Sequence, residues 1–161
     1  MKTIAIVGAT GAVGQQMLKC LEERNIQCNL KLLASARSKG KKFKFFDQEI
    51  ICEELNPDSF KDVDFALGAT ENDIAKTWIP WALENKVIIV DNSSAFRLDQ
   101  DVPLVIPEIN PEDIAKNKGI IANPNCATII ALVALNALHK EFKIKRMIVT
   151  TFQAVSGAGV K

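Results

Sequence analysis

Thr3-Ile4-Ala5-Ile6-Val7-Gly8-Ala9-Thr10-Gly11-Ala12-Val13-Gly14 is the stretch on which the fold turns. Residues 3–7 are a short apolar, β-branched run, which predicts a buried strand. Glycines then stand at Gly8, Gly11 and Gly14, and Val13, Met17, Cys20 and Leu21 recur at the spacing of one helical face, so a helix runs to about Arg24. A strand that turns through glycines straight into a helix points free backbone N–H groups at one spot. That geometry receives a pyrophosphate, and a Cβ at the glycines would block its approach. The spacing is G-x-x-G-x-x-G rather than the commonest G-x-G-x-x-G, and a plain tight turn is the alternative reading.

Outward from this unit the pattern repeats. Residues 30–34 read as a second strand, and the charged, aromatic stretch 41–53 as a hairpin or edge strands. Asn56-Pro57-Asp58 opens a short helix, with Asn as cap and Pro at the first helical position. Strand 64–67 leads into a helix capped by Thr70, with Asp73 three residues on, and Pro80 should kink or divide that helix. Strand 87–91, a polar loop 92–103, a short strand 104–106 and another Asn-Pro start at Asn110-Pro111 follow. Then come strand 119–122, an apolar helix over about 127–140, and a last strand 145–152 that runs into Ser156-Gly157-Ala158-Gly159. Alternating strands and helices with short connections predict an α/β fold, Rossmann-like and doubly wound, with a mainly parallel sheet and helices on both faces. The final strand has no helix to close it, which points to a piece of a longer protein.

The 161 residues suffice for one ordinary domain, and 48% hydrophobic with 24% charged residues is a normal water-soluble balance. Twenty basic against nineteen acidic residues give a net charge of +1, which offers no global field for nucleic acid; the basic run around Lys39, Lys41, Lys42 and Lys44 reads as a solvated loop. No apolar stretch reaches the ~20 residues of a membrane span, and no secretory signal precedes the first strand. Cys20, Cys28, Cys52 and Cys126 show no CxxC spacing and no cluster with the single histidine, so neither a metal site nor a disulfide framework is expected. A cytoplasmic, reduced protein is the expectation.

Two further positions carry chemistry. The second strand ends Ala34-Ser35-Ala36-Arg37-Ser38, where an NAD site usually places an acid; a guanidinium and hydroxyls suit a 2′-phosphate instead, so the expected cofactor is NADP(H). An exposed loop arginine is the alternative. Cys126 follows Asn123-Pro124-Asn125 at a strand–helix junction, where the helix macrodipole favours a thiolate and the Asn125 amide can polarise a carbonyl. Cys126 reads equally as nucleophile or as structural thiol; the other three cysteines read as structural. His139 lies thirteen residues further along the same helix. At 1.5 Å per residue that is roughly 20 Å away, so it is not the base for Cys126.

Six segments occur in register: Gly8 to Gly14, Ala36-Arg37-Ser38, Asp91-Asn92-Ser93-Ser94-Ala95-Phe96-Arg97, Val102 to Asn110, Asn123 to Thr128, and Gln153-Ala154-Val155-Ser156-Gly157-Ala158-Gly159. Together they resemble the bacterial aspartate-β-semialdehyde dehydrogenase family over essentially the whole chain. The resemblance implies NADPH-dependent reductive dephosphorylation of L-aspartyl 4-phosphate to the semialdehyde, on the route to lysine, threonine and methionine. It implies that Cys126 forms a thioester, that Asn125 supports the oxyanion and that Gln153 orients the substrate. Arg97 would bind the substrate phosphate, and Gly8, Thr10, Gly11, Ala12, Val13 and Gly14 the pyrophosphate. Arg37 and Ser38 would take the 2′-phosphate, and Ser156 and Gly157 would approach the nicotinamide. On this reading residues 1–143 are the NADP-binding domain and 144–161 the first strand of a catalytic and dimerisation domain. Family members are about twice this length and form homodimers or homotetramers. Their later residues supply the acid–base histidine and the arginine for the substrate carboxylate, so the chain alone is expected to be inactive. One departure stands out: Gly68-Ala69-Thr70-Glu71 replaces the family's usual Ser-Ala-Gly-Gly. Related acyl-phosphate or acyl-CoA reductases, and a non-catalytic nucleotide-binding module, are the competing readings.

Overall fold

A computed structural model describes residues 1–153. Seven strands form one sheet: β1 (Thr3–Val7), β2 (Asn29–Ala34), β3 (Lys42–Phe45), β4 (Gln48–Glu54), β5 (Phe65–Gly68), β6 (Ile88–Asp91) and β7 (Ile120–Ala122). Three helices accompany them: α1 (Ala12–Glu23), α2 (Asn72–Glu84) and α3 (Cys126–Phe142). The sheet order is β3-β4-β2-β1-β5-β6-β7, and every pairing is parallel except the β3–β4 hairpin. The chain builds outward from β1 to β2 and β4, then returns to start the other half at β5. The reversal lies between β1 and β5, where an open α/β sheet binds its ligands at the strands' carboxyl ends.

Strand alternation sorts the core into two layers. Ala5, Val7, Leu33, Ala66 and Ile89 face α2, where Ala75, Trp78, Ile79 and Ala82 are fully buried and Trp78 stacks on Phe60 with ring centroids 5.6 Å apart. Ile6, Leu32, Ala34 and Cys52 face the other way, under Leu18 and Leu21 of α1. Helices thus lie on both faces, as expected.

Several local expectations need correction. The buried stripe of α1 is Gly14, Leu18 and Leu21, while Val13 is 46% exposed and Met17 and Cys20 are half-buried; the stripe is rotated because Gly14 must sit against the turn below it. Thr70 is not the cap of α2. Glu71 occupies that position, and the Thr70 hydroxyl instead accepts from Trp78 Nε1 at 3.0 Å. Pro80 does not divide α2, because Pro80 and Lys76, whose carbonyl loses its helical partner, both lie on the exposed side. The helix starts at Asn56-Pro57 and Asn110-Pro111 are present as short 3₁₀ helices, Pro57–Phe60 and Pro111–Lys116; the Asn56 side chain caps the first, whereas Asn110 makes no side-chain cap bond to the second. Residues 104–106 amount to a single parallel bridge, Leu104 to Ala122. Residues 145–152 form no strand: a strand exists only by pairing, no strand of this sheet reaches them, and Ile148 and Phe152 are almost fully exposed.

Candidate active site

Gln153 apart, each candidate among the described residues follows the carboxyl end of a parallel strand, so the fold brings these to one edge of the sheet. Gly8 to Gly14 follow β1, Arg37 and Ser38 follow β2, Ala69 and Thr70 follow β5, Asn92 to Arg97 follow β6, and Asn123 to Cys126 follow β7.

The glycine turn is built tightly. Gly8 adopts φ +86°, which disfavours any side chain, and its N–H donates to Leu33 O at 2.8 Å. A Cβ on Gly8 would meet Ala69 O at 2.4 Å, and one on Gly14 would meet Gly8 O at 2.4 Å. Gly11 differs. Its φ is an ordinary −78°, and a Cβ there would meet nothing nearer than Gly8 O at 3.4 Å. The protein's own packing therefore does not require glycine at 11. Gly11 caps α1 without a side-chain bond, so the N–H groups of Ala12 and Val13 open onto the same space.

Thr10 Oγ1 hydrogen-bonds Ser38 Oγ at 3.3 Å, tying this turn to the 3₁₀ turn Ala36–Ser38. Ser38 is buried and Arg37 exposed beside it. Glu54, opposite Ala34 in the sheet, pairs with Lys39 at 3.5 Å.

Cys126 is the first residue of α3 and is exposed. Asn125 Oδ1 accepts from Ala127 N at 3.0 Å and Thr128 N at 3.4 Å, which caps the helix and leaves Nδ2 unengaged among the described residues. Burial pushes the Cys28 and Cys52 thiols above the ordinary cysteine range. His139 lies near the far end of α3, as the spacing required.

Arg97 is half-buried. Its Nε donates to Asn123 O at 2.9 Å and its Nη2 to Asn92 O at 3.0 Å. Asp91 is fully buried at the end of β6, its carboxylate taking Ser93 N at 3.0 Å and Ser93 Oγ at 2.5 Å. Asp91, Asn92, Ser93 and Asn123 were not singled out from sequence as site residues; polar residues directly after apolar strands were the available signal. Gln153 is exposed and makes no hydrogen bond to the site among the described residues, and Ser156 and Gly157 lie outside those residues. Among the described residues, no group of three His, Cys, Asp or Glu could hold a metal ion, and no helix is long and apolar enough to cross a membrane.

A family model described as "Semialdehyde dehydrogenase, NAD binding domain" matches residues 3–117. The chain belongs to that family. The aspartate-semialdehyde dehydrogenase of Aquifex aeolicus is 52% identical to this semialdehyde dehydrogenase domain over 162 residues, covering 98% of the chain and 48% of the relative. The crystal structure of aspartate semialdehyde dehydrogenase II from Vibrio cholerae superposes with a TM-score of 0.90 at 44% identity, covering 98% of the chain and 48% of that structure. The same Vibrio enzyme has been solved complexed with ASA. The Candida albicans enzyme, solved with NADP, matches at 28% identity and TM-score 0.71, over 88% of the chain and 48% of that structure. The domain thus spans about half the length of the relatives it matches.

Proposed function

We propose that this chain is the cofactor-binding half of an NADPH-dependent aspartate-semialdehyde dehydrogenase, and that the longer protein converts L-aspartyl 4-phosphate to L-aspartate 4-semialdehyde. The observation that carries the reading is the convergence, at one sheet edge, of a glycine turn whose Gly11 leaves room for a ligand and an exposed cysteine heading α3.

The Cys126 thiolate attacks the acyl carbon, the C–O bond to phosphate breaks, and inorganic phosphate leaves a thioester on sulfur. NADPH supplies the hydride that reduces this thioester, after which the C–S bond breaks to release the aldehyde and restore the thiolate. Asn125 Nδ2 faces the developing oxyanion while its Oδ1 stays committed to the helix cap. Arg97 holds the substrate phosphate, and Gln153 orients the substrate once the rest of the protein is in place. The turn from Gly8 to Gly14 holds the pyrophosphate, and Ser156 and Gly157 are assigned to the nicotinamide by the family resemblance alone. Arg37 grips the 2′-phosphate, with Ser38 fixing its turn to Thr10; Glu54, the acid nearest in register, is occupied by Lys39. The Candida relative solved with NADP supports this preference. The whole protein is proposed to be cytoplasmic and a homodimer or homotetramer, with residues 144–161 opening its second domain.

Titration of this chain with NADPH and NADH tests the reading. NADPH is expected to bind at least tenfold more tightly, and Arg37→Glu to erase that margin without weakening NADH, since a phosphate–guanidinium contact contributes about 1.5–3 kcal/mol. Equal affinity for the two in the unaltered chain would overturn the 2′-phosphate assignment.

A further inference from the structure

Arg97 sits on a turn within the irregular segment after β6, where no helix or strand aims its side chain. Its direction comes from main-chain carbonyls on two separate loops, Asn92 O after β6 and Asn123 O after β7. The residues that own those carbonyls also bind one another, Asn123 Nδ2 donating to Asn92 Oδ1 at 2.6 Å in a partly buried contact. Beneath them the strands are joined over only three register pairs, ending at Asp91 and Ala122, with Asn123 N donating to Asp91 O at 2.8 Å. Beyond that rung the loops are tied by this amide pair and by Arg97 itself, and the amide pair is the link that does not involve the guanidinium.

The spacing matters because a guanidinium is rigid. Nε and Nη2 lie on one edge of its plane, and the two carbonyls occupy that edge. Among the described residues nothing hydrogen-bonds the Nη1–Nη2 edge, which leaves it to meet an anion in two parallel hydrogen bonds. A change in the distance between the carbonyls rotates the plane and spoils that second edge. Asn123 is also three residues from Cys126, through the buried, φ-locked Pro124.

We infer that Asn92 and Asn123 are positioning residues, an amide clamp that aims the free edge of Arg97 and fixes it relative to Cys126. This inference rests on the proposed reading of Arg97 as the phosphate-binding residue.

The test follows alkylation of Cys126 by iodoacetamide, read by peptide mass spectrometry, against rising inorganic phosphate. Phosphate is expected to protect the unaltered chain and Arg97→Leu to abolish protection. Asn92→Ala and Asn123→Ala should each raise the half-protecting phosphate concentration roughly three- to tenfold, as loss of one partly buried hydrogen bond would. Because the clamp is one unit, the double variant should do no worse than either single. NADPH affinity, which a general loss of structure would lower, should stay unchanged in all three. Should Asn123→Ala fail to fold, Asn92→Ser carries the same comparison. Protection that survives in the Asn variants while Arg97→Leu abolishes it would overturn the clamp alone. No phosphate protection of the unaltered chain would overturn the anion site and the clamp with it.

Discussion

Gly8, Gly11 and Gly14 share one turn but respond differently to the same added methyl group. At Gly8 the methyl meets the Ala69 carbonyl on a backbone of positive φ, and at Gly14 it meets the Gly8 carbonyl, both at 2.4 Å. Neither obstacle is a flexible side chain, so Gly8→Ala and Gly14→Ala should each cost about 2–3 kcal/mol or more of stability. At Gly11 the methyl finds ordinary contact at 3.4 Å, and the position is a helix cap, where alanine is poorer than glycine by about 0.5–1.5 kcal/mol. Gly11→Ala should therefore leave the thermal midpoint within a few degrees of the unaltered chain yet weaken NADPH binding at least tenfold. Thermal unfolding and cofactor titration on the three variants separate the roles. A Gly11→Ala chain that binds NADPH normally would remove the evidence that a ligand approaches there.

At the scale of elements, α2 depends on one side chain more than its amphipathic pattern implies. Trp78 is fully buried, stacks on Phe60 beneath the sheet, and donates to Thr70, the residue lying against Gly8. Trp78→Phe keeps most of the packing and releases Thr70, so its cost should be about 1–2 kcal/mol, whereas Trp78→Ala should cost about 3–5 kcal/mol. Denaturant unfolding of both variants checks the ordering; equal losses would mean the Thr70 contact, not the packing, dominates. The same element shows what was legible in the sequence. The strands that carry the site were readable because short apolar runs end abruptly in Gly, Ser, Asn or Asp, which fixes both strand and turn. Thr70 was misread as a cap because its hydroxyl has a partner eight residues on, in the core, which a local rule cannot weigh. Residues 145–152 were misread for a related reason, since apolar alternation marks strand propensity but the partner must come from elsewhere in the fold. Asn92 and Asn123, 31 residues apart, meet only once β6 and β7 are paired, so the separate motifs that contain them do not announce their contact.

Across the whole molecule the two faces of the sheet are covered unequally. The α2 side is complete, with Ala66, Val87 and Ile89 almost fully buried. On the α1 side the helix covers β4, β2 and β1, but Phe65 and Leu67 of β5 and Ile88 and Val90 of β6, aligned in register on that side, remain half-exposed. The apolar α3 buries no residue, and Ile130 and Phe142 are more than 70% exposed. A helix apolar on most sides is one that a folded protein ordinarily covers, and monomeric surfaces rarely show contiguous apolar patches of this kind. The net charge of +1 gives little repulsion to keep copies apart. The isolated chain should therefore self-associate as its concentration rises. The association should strengthen with sulfate, which favours apolar burial, because exposed faces rather than ion pairs drive it. Sedimentation velocity from low to high micromolar protein checks this, and Leu67→Lys together with Ile130→Glu should shift the distribution toward monomer without lowering the thermal midpoint. Association that weakens in sulfate, or that both substitutions leave unchanged, would place the contact on a charged surface instead and remove the exposed faces from its cause.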